Sequence, residues 1–151
     1  MSTKTQVKIN IRRMNHDDID AVLEFNSNLK GHRNVLTAKD MVAINPGGPL
    51  DFSFVAEVKG KVVGFILAHL NYGYLPSEEV CLINGMVVNH AYRRQYIGTR
   101  LLNGLVCCCR DEEVPTVRGL VHENNDELKH VVENLGFQRS RIMNFDRTFE
   151  S

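Results

Sequence analysis

Hydrophobic and polar positions change period several times along the chain, and each change marks an element. Residues 7–12 (V-K-I-N-I-R) alternate, the pattern of a half-buried strand. Asn15 or Asp17 is placed to cap a helix running to about Leu29, with Ile19, Val22, Leu23 and Asn26 along one face. Thr37 followed by Asp40 forms a shortened capping box and opens a brief helix to Ile44. Asn45-Pro46-Gly47-Gly48-Pro49 then breaks the chain. Residues 52–58 and 61–70 read as two strands joined through Lys59-Gly60, a two-residue turn in which glycine supplies positive φ. A loop over 71–77 carries Tyr72, Tyr74 and Pro76, and Glu79–Val88 is the next strand. Leu101, Leu102, Leu105 and Val106 form the apolar stripe of a helix ending near Asp111, with Pro115 beyond it. Residues 116–121 return to strand character, a further helix opens at Asn125 and closes at Gly136, and residues 141–149 are expected to form a last strand through Ile142, Met143, Phe145 and Phe149.

Length and composition narrow what this arrangement serves. A chain of 151 residues without repeats, low-complexity tracts or linkers is expected to form a single domain over 7–151, preceded by a disordered stub over 1–6. Eighteen basic residues balance eighteen acidic ones, which argues against nucleic acid as a partner and makes any positive potential local. No apolar run is long enough to span a membrane, and the first residues lack the apolar region of a signal peptide, so a cytoplasmic location is expected. A second copy of the chain is left open as a partner, giving a homodimer. Three of the four cysteines, Cys107, Cys108 and Cys109, are contiguous. On a helix they point about 100° apart, so they cannot converge on one ion, and no metal is expected. One or two should be core residues and one should face outward, in a reducing compartment.

The chemistry concentrates where the fourth strand ends. Met86, Val87 and Val88 close an apolar run, Asn89-His90-Ala91 breaks it, and Arg93, Arg94, Gln95, Tyr96, Ile97, Gly98, Thr99 and Arg100 lead into the helix. The first turn of a helix carries backbone N–H groups without intrahelical partners, and the helix dipole favours negative charge there. Arginines at such a mouth make a phosphate-bearing ligand the first guess.

The run V-x-x-x-Y-R-R-Q-Y-I-G-T-R-L-L resembles the acetyl-CoA motif of the GNAT superfamily of N-acetyltransferases, whose core is R/Q-x-x-G-x-G/A. Arg93 takes its first position and Gly98 its last, with Tyr96 at the first glycine. Downstream, N-D-E-L-K-H-V-V-E-N-L-G-F from Asn125 is similar to the family's N-x-x-A-x-x-L-Y-x-x-x-G-F helix, with Leu128 for the alanine and Val132 for the tyrosine. Upstream, V-A-E-V-K-G-K-V-V-G-F-I-L-A resembles the hairpin before the motif strand. The resemblance implies an α/β (α+β) GNAT-like fold, a central mixed, mostly antiparallel sheet of about six to seven strands flanked by about four helices. It implies acetyl-CoA as cosubstrate and N-acetyl transfer to an amine of a small molecule or protein by direct attack in a ternary complex. The alternative is a non-catalytic acyl-CoA-binding sensor or scaffold of the same fold, favoured by the family's acid and base positions being unfilled.

Under this resemblance Met86, Val87 and Val88 pair through main-chain groups with the pantetheine arm, and an amide near Met86 stabilises the oxyanion. The segment Gln95, Tyr96, Ile97, Gly98 and Thr99 receives the pyrophosphate, with charge from Arg93, Arg94 and Arg100. Asn125 contacts the cofactor arm, although it reads equally well as a helix cap. Tyr96 is tolerable if its φ is negative and its ring turns away from the phosphates, and that arrangement is expected. A positive φ would cost about 1 kcal/mol or more. The family's carboxylate positions map to Leu82 and Asn84, neither of which takes a proton, so the remaining base candidates are Glu78, Glu79 and His122. The region over 30–51, with His32 and Arg33, corresponds to the family's acceptor pocket and otherwise reads as a solvated loop.

Overall fold

The computed structural model describes residues 7–29, 36–72 and 78–150. The expected N-terminal stub, together with His32, Arg33, Tyr74 and Pro76, lies outside them. Compact packing divides the chain into Met1–Leu120 and Val121–Ser151.

The first unit is built on a sheet in the order β1-β2-β3-β4-β5. Its strands are β1 (Asn10–Arg13), β2 (Phe54–Val58), β3 (Lys61–Tyr72), β4 (Glu79–Val88) and β5 (Thr116–Gly119). The first three pairings are antiparallel and β4–β5 is parallel, so the sheet is mixed and mostly antiparallel as expected. Lys59 and Gly60 both take positive φ, 50° and 78°, the requirement of a two-residue hairpin turn matched to strand twist. β1 begins three residues later than its alternation suggests, because Ile9 is buried without pairing while Asn10 opposite Glu57 starts the ladder.

Helices cover both faces. Asn15 caps a 3₁₀ turn over His16–Asp18, its side chain accepting from the Asp17 N–H at 2.8 Å, and α1 (Ile19–Asn28) follows. α2 (Ala38–Ile44) opens with the expected capping box: Asp40 N–H donates to the Thr37 hydroxyl and Thr37 N–H to the Asp40 carboxylate. Met14, Val22 and Met41 pack with Val55, Phe65 and Leu67 into one core, where Phe25 meets Phe65 edge to face at 6.0 Å. On the opposite face α3 (Ile97–Asp111) buries Ile97, Leu101, Leu102, Leu105 and Cys109. A Cβ on Gly104 would meet Ile11 Cγ2 at 3.3 Å and Phe54 at 3.6 Å, so the bare backbone there lets the helix lie close to the sheet. The cysteine triplet sorts as its helical spacing requires: Cys109 is buried, Cys108 half-buried and Cys107 exposed. Contact with Cys109, and then burial, pushes the Cys81 thiol well above its ordinary value.

An ionic clamp ties β1, β2 and the start of α1. Arg12 donates to both Asp18 oxygens at 2.8 and 2.7 Å and to Glu57 through Nε at 3.0 Å, while Asp18 also accepts the Asn15 N–H at 2.8 Å. Asp18 is buried, so this bidentate pairing supplies what water would otherwise provide.

In the second unit α4 (Asp126–Asn134) ends in a Schellman motif. Gly136, at φ 89°, donates to the Glu133 carbonyl and Phe137 to the Val132 carbonyl, both at 3.0 Å. The strand expected over 141–149 is corrected by the structure. Among the described residues that segment pairs with nothing, and Phe145 and Phe149 are 89% and 71% exposed. Ile142 and Met143 are adjacent, which breaks the period of two that would hold one apolar face against a sheet. Among the described residues the sheet has five strands rather than six or seven.

The clamp yields a pH prediction. Hydrogen bonds from Arg12 hold the Asp18 and Glu57 carboxyls below the usual carboxylate range. Depressed folded values mean that this stabilisation is complete above the unfolded carboxylate pKa and is lost as pH falls through the folded values. In urea titrations carried from neutral into acid, wild type should lose stability more steeply than Asp18→Asn. Parallel curves would show that the clamp contributes nothing measurable.

Candidate functional site

β4 is the element around which the site is built. It pairs with β5 over only four residues, Val80↔Thr116 to Ile83↔Gly119, and beyond Ile83 its edge on that side has no strand partner among the described residues. On its other edge the ladder with β3 continues to Gly64↔Val88, but with a bulge: Leu67 faces Gly85, Ala68 faces Ile83, and Asn84 is the extra residue. A bulge bends a strand and re-aims its side chains. The bend begins where β4 leaves β5, so the backbone of Asn84, Gly85, Met86, Val87 and Val88 borders an opening in the sheet.

The chain leaves β4 through Asn89, whose side chain accepts the Ala91 N–H at 3.0 Å, into a 3₁₀ segment, His90–Gln95. Arg93 and Arg94 lie on this segment, and their side chains are outside the described residues. Tyr96 then joins the segment to α3 with φ 54° and ψ 38°. The expected negative φ at Tyr96 is thus corrected: the residue is left-handed, as a glycine would be at that position. The residue is 72% exposed. The reversal is forced by geometry, because a left-handed residue turns the 3₁₀ axis onto the axis of α3, and the Tyr96 carbonyl accepts the first helical hydrogen bond from Arg100 N–H at 2.9 Å.

No side chain caps α3. The N–H groups of Ile97, Gly98 and Thr99 occupy its first turn, which leaves them without helical acceptors. Gly98 faces the sheet rather than the solvent: a Cβ there would meet Met86 Cε at 3.2 Å and Val88 Cγ2 at 3.9 Å. Its lack of a side chain sets the approach of α3 to β4, and so places the helix N-terminus beside the open strand edge. Arg100 is exposed, but its guanidinium donates to the Ile9 carbonyl at 3.0 Å.

The expected catalytic and cofactor residues are distributed over both units. Met86, Val87, Val88, Gln95, Tyr96, Ile97, Gly98 and Thr99 lie along one stretch of chain, from the end of β4 through the 3₁₀ segment to the start of α3. Glu79 stands at the far end of β4, seven residues from Met86, which is about 23 Å of extended chain. His122 and Asn125 belong to the second unit. There His122 Nδ1 accepts the Asn124 N–H at 3.1 Å, and Asn125 caps α4 by accepting the Leu128 N–H at 3.1 Å, the second of the two readings open for it. One contact at the opening has no counterpart in the sequence reading: His69 of β3 meets Asn84 across the bulge, Nδ1 to Oδ1 at 2.6 Å. A lone histidine in an apolar strand carries no sequence signal, and the bulge that brings Asn84 to it carries none either.

A sheet opening along one parallel strand and ending at an uncapped helix suits an extended ligand that has amide groups along its length and an anion at one end. Comparison with known proteins gives the class. The profile of the acetyltransferase (GNAT) family matches residues 24–137, and the chain belongs to that family, acyltransferases that use acetyl-CoA as cosubstrate. Solved structures share the fold. The aminoglycoside N-acetyltransferase AAC(6')-Iy, in complex with the bisubstrate analogue CoA-S-monomethyl-acetylneamine, is 20% identical with a TM-score of 0.76, over 94% of this chain and 99% of that one. The aminoglycoside 6'-N-acetyltransferase AAC(6')-Ih from Acinetobacter baumannii is 16% identical with a TM-score of 0.72, over 95% and 100%. The ribosomal-protein-S18-alanine N-acetyltransferase from Escherichia coli is 20% identical with a TM-score of 0.72, over 88% and 79%. No curated protein sequence matches significantly.

The left-handed tyrosine is directly testable. Replacing Tyr96 by glycine should raise the unfolding free energy by up to about 1 kcal/mol, because relief of the αL cost outweighs the extra freedom of the unfolded chain. Tyr96→Val should lower it by about 1 kcal/mol or more, since a β-branched residue is a poor occupant of that region. Equal midpoints for both variants in urea would place Tyr96 outside the left-handed region.

Proposed function

We propose that the protein is an N-acetyltransferase that moves the acetyl group of acetyl-CoA to the amine of a small molecule or a protein by direct attack in a ternary complex. The observation that carries this reading is the parting of β4 from β5 beside the uncapped start of α3. In this reading the main chain of Met86, Val87 and Val88 pairs with the amides of the pantetheine arm as an added strand would. The pyrophosphate rests on the N–H groups from Gln95 to Thr99, where the helix dipole and the missing cap both favour an anion. Arg93 and Arg94 add charge from the 3₁₀ segment, and Arg100 does so if its guanidinium leaves the Ile9 carbonyl. For Asn125, which the family resemblance assigns to the cofactor arm, the capping bond leaves only the remaining capacity of its amide.

A thioester held in this way presents its carbonyl near the Met86 amide, a fixed dipole that stabilises the oxyanion as it forms. The thiolate of coenzyme A is a tolerable leaving group, because a simple thiol has a pKa of only about 8.5. Val132 at the family's tyrosine position is therefore compatible with turnover. The structural neighbours acetylate aminoglycosides or the alanine of a ribosomal protein, which makes polyamine sugars and N-terminal alanine peptides the first acceptors to try. A cytoplasmic location is the reading that the contiguous cysteines support.

Acetyl-CoA and CoA should raise the melting temperature, by an amount equivalent to about 2.7 kcal/mol at a hundredfold excess over Kd, and nucleotides lacking pantetheine should do so far less. Thiol release from acetyl-CoA should then accelerate with sisomicin or with a peptide bearing an N-terminal alanine. A melting temperature unmoved by saturating CoA would overturn the assignment of the opening to the cosubstrate.

A further inference from the structure

We propose that His69 accepts the proton of the attacking amine, and that Asn84, the bulge residue of β4, is the positioning residue that holds its ring in the working tautomer. This rests on the opening beside β4 being the acetyl-transfer site. It supplies the base that the strand itself lacks at Leu82 and Asn84.

The geometry begins with register. His69 is directly opposite Leu82, and its neighbour Ala68 is opposite Ile83, the last β4 residue paired to β5. Asn84 is the next residue, unpaired in the β3 ladder, and its amide oxygen turns onto His69 Nδ1 at 2.6 Å. An amide oxygen only accepts, so Nδ1 carries the hydrogen and a neutral ring keeps its lone pair on Nε2. His69 is half-buried while Asn84 is exposed, so the pair is open to solvent rather than in the core, and Asn84 is the first β4 residue past the β5 pairing. Met86 lies two residues past Asn84, about 7 Å of strand. A ring lodged at Asn84 is thus within a side-chain length of a thioester carbonyl resting near the Met86 amide.

The charged groups around the ring leave this role open. The cross-strand row that contains His69 runs from Asp51 through His69 and Leu82 to Arg118. Asp51 is buried, and its carboxylate already accepts the Gly47 and Ser53 N–H groups at 2.9 and 3.1 Å. Arg118, half-buried on β5, is separated from His69 by the apolar Leu82. On α1, which packs against β3, Asp20 and Glu24 are exposed, and on α2 the Asp40 carboxylate is held by Thr37 while Lys39 is exposed. At the start of β4, Glu78 and Glu79 are exposed, and Glu79 pairs with Tyr72, three residues beyond His69.

The step balances without a further reactant. The neutral amine attacks the thioester carbonyl carbon, a C–N bond forms, and the N–H proton passes to His69 Nε2. The tetrahedral intermediate collapses, the C–S bond breaks, and coenzyme A leaves as thiolate with the electron pair. The imidazolium then returns its proton to the thiolate or to water. The products are an amide and free CoA thiol.

Two measurements test the proposal. In ¹⁵N-histidine-labelled protein, the ring signals that vanish in His69→Gln should report the Nδ1–H tautomer at neutral pH, and Asn84→Ala should abolish that preference. In steady-state assays with acetyl-CoA and sisomicin, or the alanine peptide if that is the better acceptor, His69→Gln should lower kcat by about 10²-fold and remove the acidic limb of the pH profile. Its affinity for CoA should be unchanged. Asn84→Asp should move that limb to higher pH, because a carboxylate on Nδ1 favours the imidazolium, and His122→Ala should leave it in place. An Nε2–H tautomer in wild type, or an acidic limb and kcat retained by His69→Gln, would overturn the role of His69. Failure of wild type itself to bind CoA is a different result: it removes the acetyl-transfer reading and the role of His69 with it.

Discussion

Everything at the site depends on β4 giving up its partner. A parallel pair is held by evenly spaced backbone hydrogen bonds, and β4 and β5 keep theirs over four residues only. Past that point the β4 backbone still has polar groups on an open edge, and groups of that kind are satisfied by water or by a ligand. In most sheets an exposed edge is a hazard that is blunted by charge or cover. Here it adjoins the free N–H groups of α3, so one extended ligand can satisfy both.

The opening stays in place because what surrounds it is firmly packed. α3 is held against the sheet by a continuous apolar stripe and by close approach at Gly98 and Gly104. The other face is filled by α1 and α2 around Phe65 and Leu67, the β3 residues just before the bulge. At the edge strand, the Arg12 clamp joins β1 to β2 and to the 3₁₀ turn before α1. Strain is confined to short junctions, with Tyr96 and Glu113 left-handed at the two ends of α3. Glu113 sits at the C-terminal end, where Val114 N–H bonds back to the Cys109 carbonyl at 2.8 Å, in a place glycine usually takes. Tyr96 is the strained residue next to the uncapped start of α3.

Much of the architecture is readable in the residues themselves, wherever the deciding interaction is local. The Thr37–Asp40 capping box, the Lys59-Gly60 turn, the limits of β4, the α3 stripe and the Gly136 terminus are each set by neighbours within a few positions, and each is found where the pattern puts it. The motif leading into α3 is equally local, which is why the family is legible from a single chain.

What the residues by themselves could not convey is set by partners distant in sequence. Whether the segment over 141–149 becomes a strand depends on a sheet edge accepting it, and alternation alone does not supply that edge. The sign of φ at Tyr96 follows from the angle between the 3₁₀ segment and α3, which is fixed by the packing of the helix on β4 rather than by the tyrosine. The bulge at Asn84 lies where β4 leaves β5, and the residue there meets His69, fifteen positions away in the chain. Sequence determined most of the elements and the turn into α3 because those are short-range hydrogen bonds and apolar periodicity. Tertiary structure decided the opening, the strained junction and the contact of His69 with Asn84 because those depend on how three strands and a helix pack together.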